Sequence, residues 1–133
     1  MIYILDTNSI IYFLQGYKEL DTIFNNIRER KVIPLISVIT KIELLSFPDI
    51  TSKEEIQIKE LLNNFDIVEL EEEIIEQTIK IRKKFHLKIP DAIIAASALF
   101  NNGILITRNE KEFKKIKELK IINPFSRQKK SNI

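Results

Sequence analysis

The chain has 133 residues and a formal net charge of +2, a length that suits one domain with one core. Apolar residues make up 44% and charged residues 30%, an ordinary globular mixture, and two glycines with four prolines exclude long flexible linkers. The absence of cysteine excludes disulfides and thiolate metal sites, and so small a net charge does not by itself imply nucleic-acid binding.

No basic segment precedes the first apolar residues, and Asp6 interrupts them early, so a signal peptide is not expected. The longest apolar stretch, Ala92 to Phe100, is too short to span a bilayer and contains Ser97. The expectation is a soluble, cytoplasmic protein with no membrane partner, in keeping with the lack of cysteine.

Tyr3 to Leu5 reads as a buried strand that stops at Asp6. Asn8 to Gln15 predicts a helix with Asn8 as N-cap and Gly16 as stop, and Lys18 to Arg30 predicts a second. "VIPLIS" reads as a strand, although Pro34 either weakens that reading or places the strand near a sheet edge. Val38 to Ser46 predicts a helix ended by Phe47-Pro48, and Ser52 to Glu55 reads as a capping box opening a helix to about Asn63. "FDIVEL" is a short strand. Glu72 to Phe85 carries a helical apolar stripe through Ile74, Ile75, Thr78, Ile79 and Ile81. Pro90 starts a helix to Asn101, "ILIT" is a strand, Asn109 to Lys117 a short helix, and "KIIN" a last strand ended by Pro124. The alternation predicts an α/β domain over residues 1–126, with a mostly parallel sheet between helical layers. Arg127 to Ile133 reads as a basic, mobile tail.

Ligands of open parallel sheets bind beyond the carboxyl ends of the strands. Asp6 ends the first strand there, and Asn109 and Glu112 follow "ILIT". Each acidic place also has a plain structural explanation. Asp6 in Asp-Thr-Asn is good turn and cap chemistry. Asp91 after Pro90 is an ordinary helix start, although Ala95 and Ala98 below it would let that helix pack close to the sheet. Asn109 and Glu112 fit a capping box. Glu43 is harder to dismiss. It shares an i, i+4 row with Ile39 and Phe47, and a carboxylate in such a helix needs a lysine, an arginine or a bound cation. Thr107 and Arg108 either bind a phosphate or are simply exposed. Tyr12, Phe13 and Phe24 read as core or interface residues, with a base-stacking platform as the alternative, and His86 is assigned no role.

Clustered carboxylates repel one another, and a divalent cation removes that repulsion. With no cysteine and one histidine, a metal site here must be oxygen-rich, which suits Mg²⁺ or Mn²⁺.

Four segments, "YILDTNSII", "SVITKIELL", "IPDAIIAASAL" and "ILITRNEKEFKKI", resemble PIN-domain ribonucleases in order and spacing, most of all the VapC-like toxins of bacterial and archaeal toxin–antitoxin pairs. The resemblance runs from Ile2 to about Pro124. It implies a PIN-like fold, metal-dependent cleavage of RNA such as tRNA or rRNA, a homodimer, and a small antitoxin protein as partner. By position it implies that Asp6, Glu43 and Asp91 are the first three acids of the site. Many members carry aspartate at the fourth, where this chain has Asn109; Glu112 matches a further acidic position. Asn8 and Thr107 match supporting polar positions. The implied mechanism is in-line attack on a phosphodiester by a water that Mg²⁺ or Mn²⁺ activates, with Lys88, Arg108 and the tail as candidate phosphate contacts. Two alternatives stay open. One is a non-catalytic or RNA-processing PIN module. The other is a haloacid-dehalogenase-like phosphatase, which needs an acid where Asn8 stands.

Overall fold

The computed structural model describes residues 1–126, so the expected tail from Arg127 to Ile133 lies outside the described residues. Five strands form one parallel sheet in the order β3-β2-β1-β4-β5: β1 is Ile2–Leu5, β2 Ile33–Ser37, β3 Asp66–Val68, β4 Ile104–Ile106 and β5 Lys120–Ile122. Helices α1 (Thr7–Leu14), α2 (Asp21–Arg28), α3 (Val38–Leu45), α4 (Ser52–Leu62), α5 (Glu72–Phe85), α6 (Ile89–Phe100) and α7 (Glu110–Phe113) connect them. This is the α/β architecture expected from the alternating elements.

Alternate side chains of each central strand go to opposite faces, as the two-residue strand period requires. Tyr3, Leu5, Ile36 and Ile106 join Ile10, Phe24, Leu44, Ile58 and Phe65 in a core beneath α1 to α4. Ile4, Leu35 and Leu105 face a second core with Ile74, Ile81, Ala92, Ala95, Ala98 and Phe113. With both faces covered, β1 is a continuous apolar run, and the first polar residue after it is Asp6.

Several boundaries differ from the sequence expectation, each for a local reason. Asp6, not Asn8, caps α1, because its side chain reaches the N–H of Ser9. The second helix breaks into a 3₁₀ turn at Lys18–Leu20 followed by α2. The capping box of α4 lies one residue earlier, with Thr51 and Glu54 exchanging both bonds. The final helix shrinks to α7. Pro34 does not mark an edge, since β2 lies between β1 and β3. Ile33 donates to the Met1 carbonyl, so the missing N–H of Pro34 faces the β3 side. β3 begins pairing only at Leu35, and no ladder bond is lost.

The register of β1 with β4 sets the site. Leu5 is level with Ile106, so Asp6 and Thr107 leave the sheet side by side. Helix α6 packs on β1, β2 and β4 and brings Asp91, in its first turn, above the same edge. Ala95 and Ala98 are fully buried in that contact, as their small size predicts. Ala95→Leu is therefore expected to lower stability by about 1–3 kcal/mol through overpacking. Urea denaturation measures this, and an unchanged midpoint would contradict so close a fit.

Candidate active site

Asp6 is buried, at 7% exposure, yet both of its oxygens have donors. Oδ1 accepts from the Ser9 N–H at 2.9 Å, and Oδ2 accepts from the Thr107 hydroxyl at 2.5 Å. Thr107 in turn accepts from the Asn109 N–H at 2.9 Å, which ties the loop after β4 to the carboxylate. Ser9 Oγ donates to the Ile106 carbonyl, and the Asp6 N–H bonds the same oxygen. The start of α1 and the end of β4 are thus stitched together around Asp6.

Glu43 stands on α3, partly buried, and its Oε1 accepts a 2.6 Å bond from the Thr7 hydroxyl. Thr7 Oγ1 also lies 3.1 Å from the Thr40 hydroxyl. Neighbouring Ile42 and Phe47 are more exposed than an apolar row would suggest, so Glu43 sits at the rim of a cleft and not inside a core. Among the described residues no lysine or arginine makes an ion pair with Asp6, Glu43 or Asp91. Of the two partners that the sequence demanded for Glu43, the basic side chain is not found among the described residues.

Asp91 is partly buried. Burial first, then the charges of Asp6 and Glu43, push its pKa above the usual carboxylate value; Lys88 pulls the other way and Glu112 adds to the rise. Burial likewise raises the pKa of Asp6, against the bonds from Thr107 and Ser9, and Glu43 raises it further. Residues from four distant segments therefore act on one another electrostatically at one edge of the sheet. Glu112 belongs to this field but is half-exposed and paired with Lys115 at 3.0 Å. Asn109 makes no side-chain cap, so its capping box with Glu112 does not form. Asn8 is exposed and makes no side-chain bond among the described residues. It stands between two hollows that share Asp6. One, of about 360 Å³, is walled by Thr7, Glu43, Phe47 and Asp91; the other, of about 200 Å³, by Tyr12, Arg108 and Asn109. Lys88 is exposed at the start of α6, and Arg108 is exposed against aromatic rings.

Thr7 and Thr40 were not singled out as site residues by the sequence reading. Their signals were adjacency to Asp6 and an i, i+3 spacing to Glu43.

The donor set is made of oxygens, with no ion-pair partner among the described residues and only Lys88 offsetting part of the charge at Asp91, and so has the right chemistry for a hard divalent cation. Among the described residues no group of three or more histidine, aspartate or glutamate side chains is placed to hold a metal ion by itself. Mg²⁺ dehydrates reluctantly and is commonly held by one or two carboxylates while keeping several waters, so it does not require three protein ligands.

The raised pKa of Asp91 has a consequence for stability. The folded protein binds this proton more tightly than the unfolded chain does. A penalty is therefore absent below the ordinary carboxylate pKa and grows as pH rises through the elevated folded value. In EDTA, Asp91→Asn is expected to raise the urea midpoint at pH 7, with the gain shrinking as pH falls toward 4. A lower midpoint at pH 7 would contradict this electrostatic picture.

Comparison with known proteins agrees with this fold. The sequence model described as PIN domain matches residues 3–119. No curated protein matches the sequence significantly. Among solved structures, a chain of the toxin–antitoxin complex from Klebsiella pneumoniae is 29% identical, with a TM-score of 0.78 over 94% of this chain and 99% of that one. A chain of VapBC-1 from nontypeable Haemophilus influenzae is 28% identical, with a TM-score of 0.78 over 95% of this chain and 100% of that one. A chain of VapBC2 from Rickettsia felis, bound to a promoter DNA fragment, is 26% identical, with a TM-score of 0.79 over 92% and 98%. With the family match spanning both cores and all four acidic segments, the chain belongs to the PIN domain family.

Proposed function

We propose that this protein is a Mg²⁺- or Mn²⁺-dependent endoribonuclease, the toxin of a toxin–antitoxin pair, acting in the cytoplasm on structured RNA such as tRNA or rRNA. The observation that carries the reading is that Asp6, Glu43 and Asp91 line one hollow, with no basic ion-pair partner among the described residues, and that Glu112 adds to the negative charge around Asp91. Such an arrangement costs stability, and the cap that Asp6 gives α1 accounts for only one of the acids. A cation that substrate phosphates also need turns the cost into a binding site.

Asp6, Glu43 and Asp91 would hold the ion, directly or through water, with Glu112 or Asn109 assisting from the loop after β4. When bound, a divalent cation makes water a better nucleophile and offsets charge on the phosphate oxygens. The chain's own contribution is orientation. Ser9 and Thr107 fix both oxygens of Asp6, and Thr7 fixes one oxygen of Glu43. Two of these donors are hydroxyls, which turn to suit the charge they face and carry no charge of their own. No protein nucleophile is required.

The likeness to chains of toxin–antitoxin complexes supports a small antitoxin protein as partner, and a homodimer is part of the same proposal. Among the described residues no helix is long and apolar enough to cross a membrane. A non-catalytic RNA-binding PIN module is the second reading, favoured by Asn109 at a position where many relatives carry an acid. It predicts RNA retention without cleavage under any divalent ion.

Purified protein should cut RNA in Mn²⁺ or Mg²⁺ and stop on addition of EDTA. Asp6→Asn and Asp91→Asn should each lower the rate by roughly 10²-fold or more while circular dichroism shows the fold retained. Cleavage in EDTA, or full activity in both variants, would contradict the proposal.

A further inference from the structure

Arg108 directly follows Thr107, the residue that bonds Asp6, and so leaves the sheet edge toward the smaller hollow beside the carboxylates. Its guanidinium lies 4.0 Å from the ring centre of Phe125 and 5.3 Å from that of Tyr12. The two rings meet edge to face at 5.1 Å, and Tyr17 closes a triangle with them at 5.1 and 5.8 Å. The shelf is itself anchored. The Phe125 N–H bonds the side chain of Asn123, whose amide bonds Glu110. Glu110, the acid nearest in sequence, is thereby turned to Asn123 and makes no ion pair with Arg108.

Among the described residues Arg108 has no carboxylate partner, and no acceptor takes a hydrogen bond from its guanidinium. An exposed arginine is ordinarily a flexible, solvated charge. This one lies over the Phe125 ring and beside Tyr12, contacts that restrain the side chain without using its fork of N–H groups and so lower the entropy lost on gripping a planar or tetrahedral anion. The fork matches phosphate bidentately. Its position matters as much as its chemistry. The two hollows share Asp6 and Asn8 as walls, with Arg108 and Tyr12 lining one and Phe47 the other. A strand with its scissile phosphate over Asp6 must carry its neighbouring phosphates along these walls.

We propose that Arg108, laid on the Tyr12–Phe125 shelf, is a positioning residue that grips an RNA phosphate flanking the scissile one. The proposal rests on the nuclease reading above and adds a substrate subsite to it. The shelf gives the C-terminal Phe125 a purpose in the cleft, since it aims a cation donated by the loop after β4. It also gives the cleft a polarity, with the arginine on one side of Asp6 and the carboxylates of Glu43 and Asp91 on the other.

The test uses the full chain and a fluorescently labelled single-stranded oligoribonucleotide. Binding is measured by anisotropy with Ca²⁺ in place of Mn²⁺, across roughly 50–200 mM salt. Cleavage kinetics are then measured in Mn²⁺. Arg108→Gln should weaken binding about tenfold and reduce the salt slope by about 0.7, the value for one phosphate contact on a single strand. It should raise KM far more than it lowers kcat. Arg108→Lys, which keeps the charge, should restore the slope and part of the affinity. Phe125→Leu should weaken binding less than Arg108→Gln while keeping the slope. A residue that only braces the C-terminal segment would lower Tm in Arg108→Gln without changing slope or KM, and that result overturns the proposal. Unchanged binding in Arg108→Gln overturns it too, and would leave the cation to a protein partner. If the wild type neither binds nor cuts RNA, the nuclease reading falls with it; if the wild type cuts and Arg108→Gln cuts equally well, only the clamp falls.

Discussion

Asp6 cannot sit ionised at the end of a buried strand unless the surrounding chain supplies donors, and much of the local structure answers that demand. A carboxylate with 7% exposure loses most of its hydration. The Ser9 N–H replaces part of it by capping α1, and the Thr107 hydroxyl replaces another part from the neighbouring strand. One side chain thereby fixes the start of a helix, the end of β4 and, through Thr107 and Asn109, the course of the loop beyond. Cap and functional group are the same residue. The ordinary structural role and the proposed chemical one do not compete, because the cap uses one oxygen face and orients the whole carboxyl group.

The second constraint is repulsion. Burial and the other acids both raise the pKa of Asp91, and among the described residues no basic group sits close enough to pair with it. A fold that needed these residues only for stability would do better with asparagine or serine. The hydroxyls of Thr7 and Thr107 hold individual oxygens in place but leave the net negative charge untouched. The site is thus oriented but electrostatically unfinished, a state that binding of a cation would relieve.

The alternation of apolar and amphipathic runs was enough to read the parallel sheet and its covering helices, because β1, β2 and β4 are buried on both sides and say so in their composition. The position of Asp6 at a strand end and of Asp91 above Ala95 and Ala98 was legible for the same reason. Cap assignments were less so. Asp6, Asn8, Thr51 and Ser52 are all competent N-caps, and only the entry direction of the chain chooses among them. Pro34 misled because a ladder partner that starts one residue late cannot be seen from one strand alone. The partners of the acids were least legible. Thr7 meets Glu43 across 36 residues and Thr107 meets Asp6 across 101, contacts set by the packing of α3 on α1 and by the β1–β4 register. The triangle of Tyr12, Tyr17 and Phe125 joins the first helix to the C-terminal end of the described chain, which no local pattern announces.

The central claim is that the carboxylates above β1 and α6 form a cation site. Calorimetric titration of the metal-free protein with Mn²⁺ near pH 7 tests it directly. The account predicts saturable binding that disappears in Asp91→Asn, with that variant still folded. Equal binding by the variant, or no binding by the wild type, would contradict it.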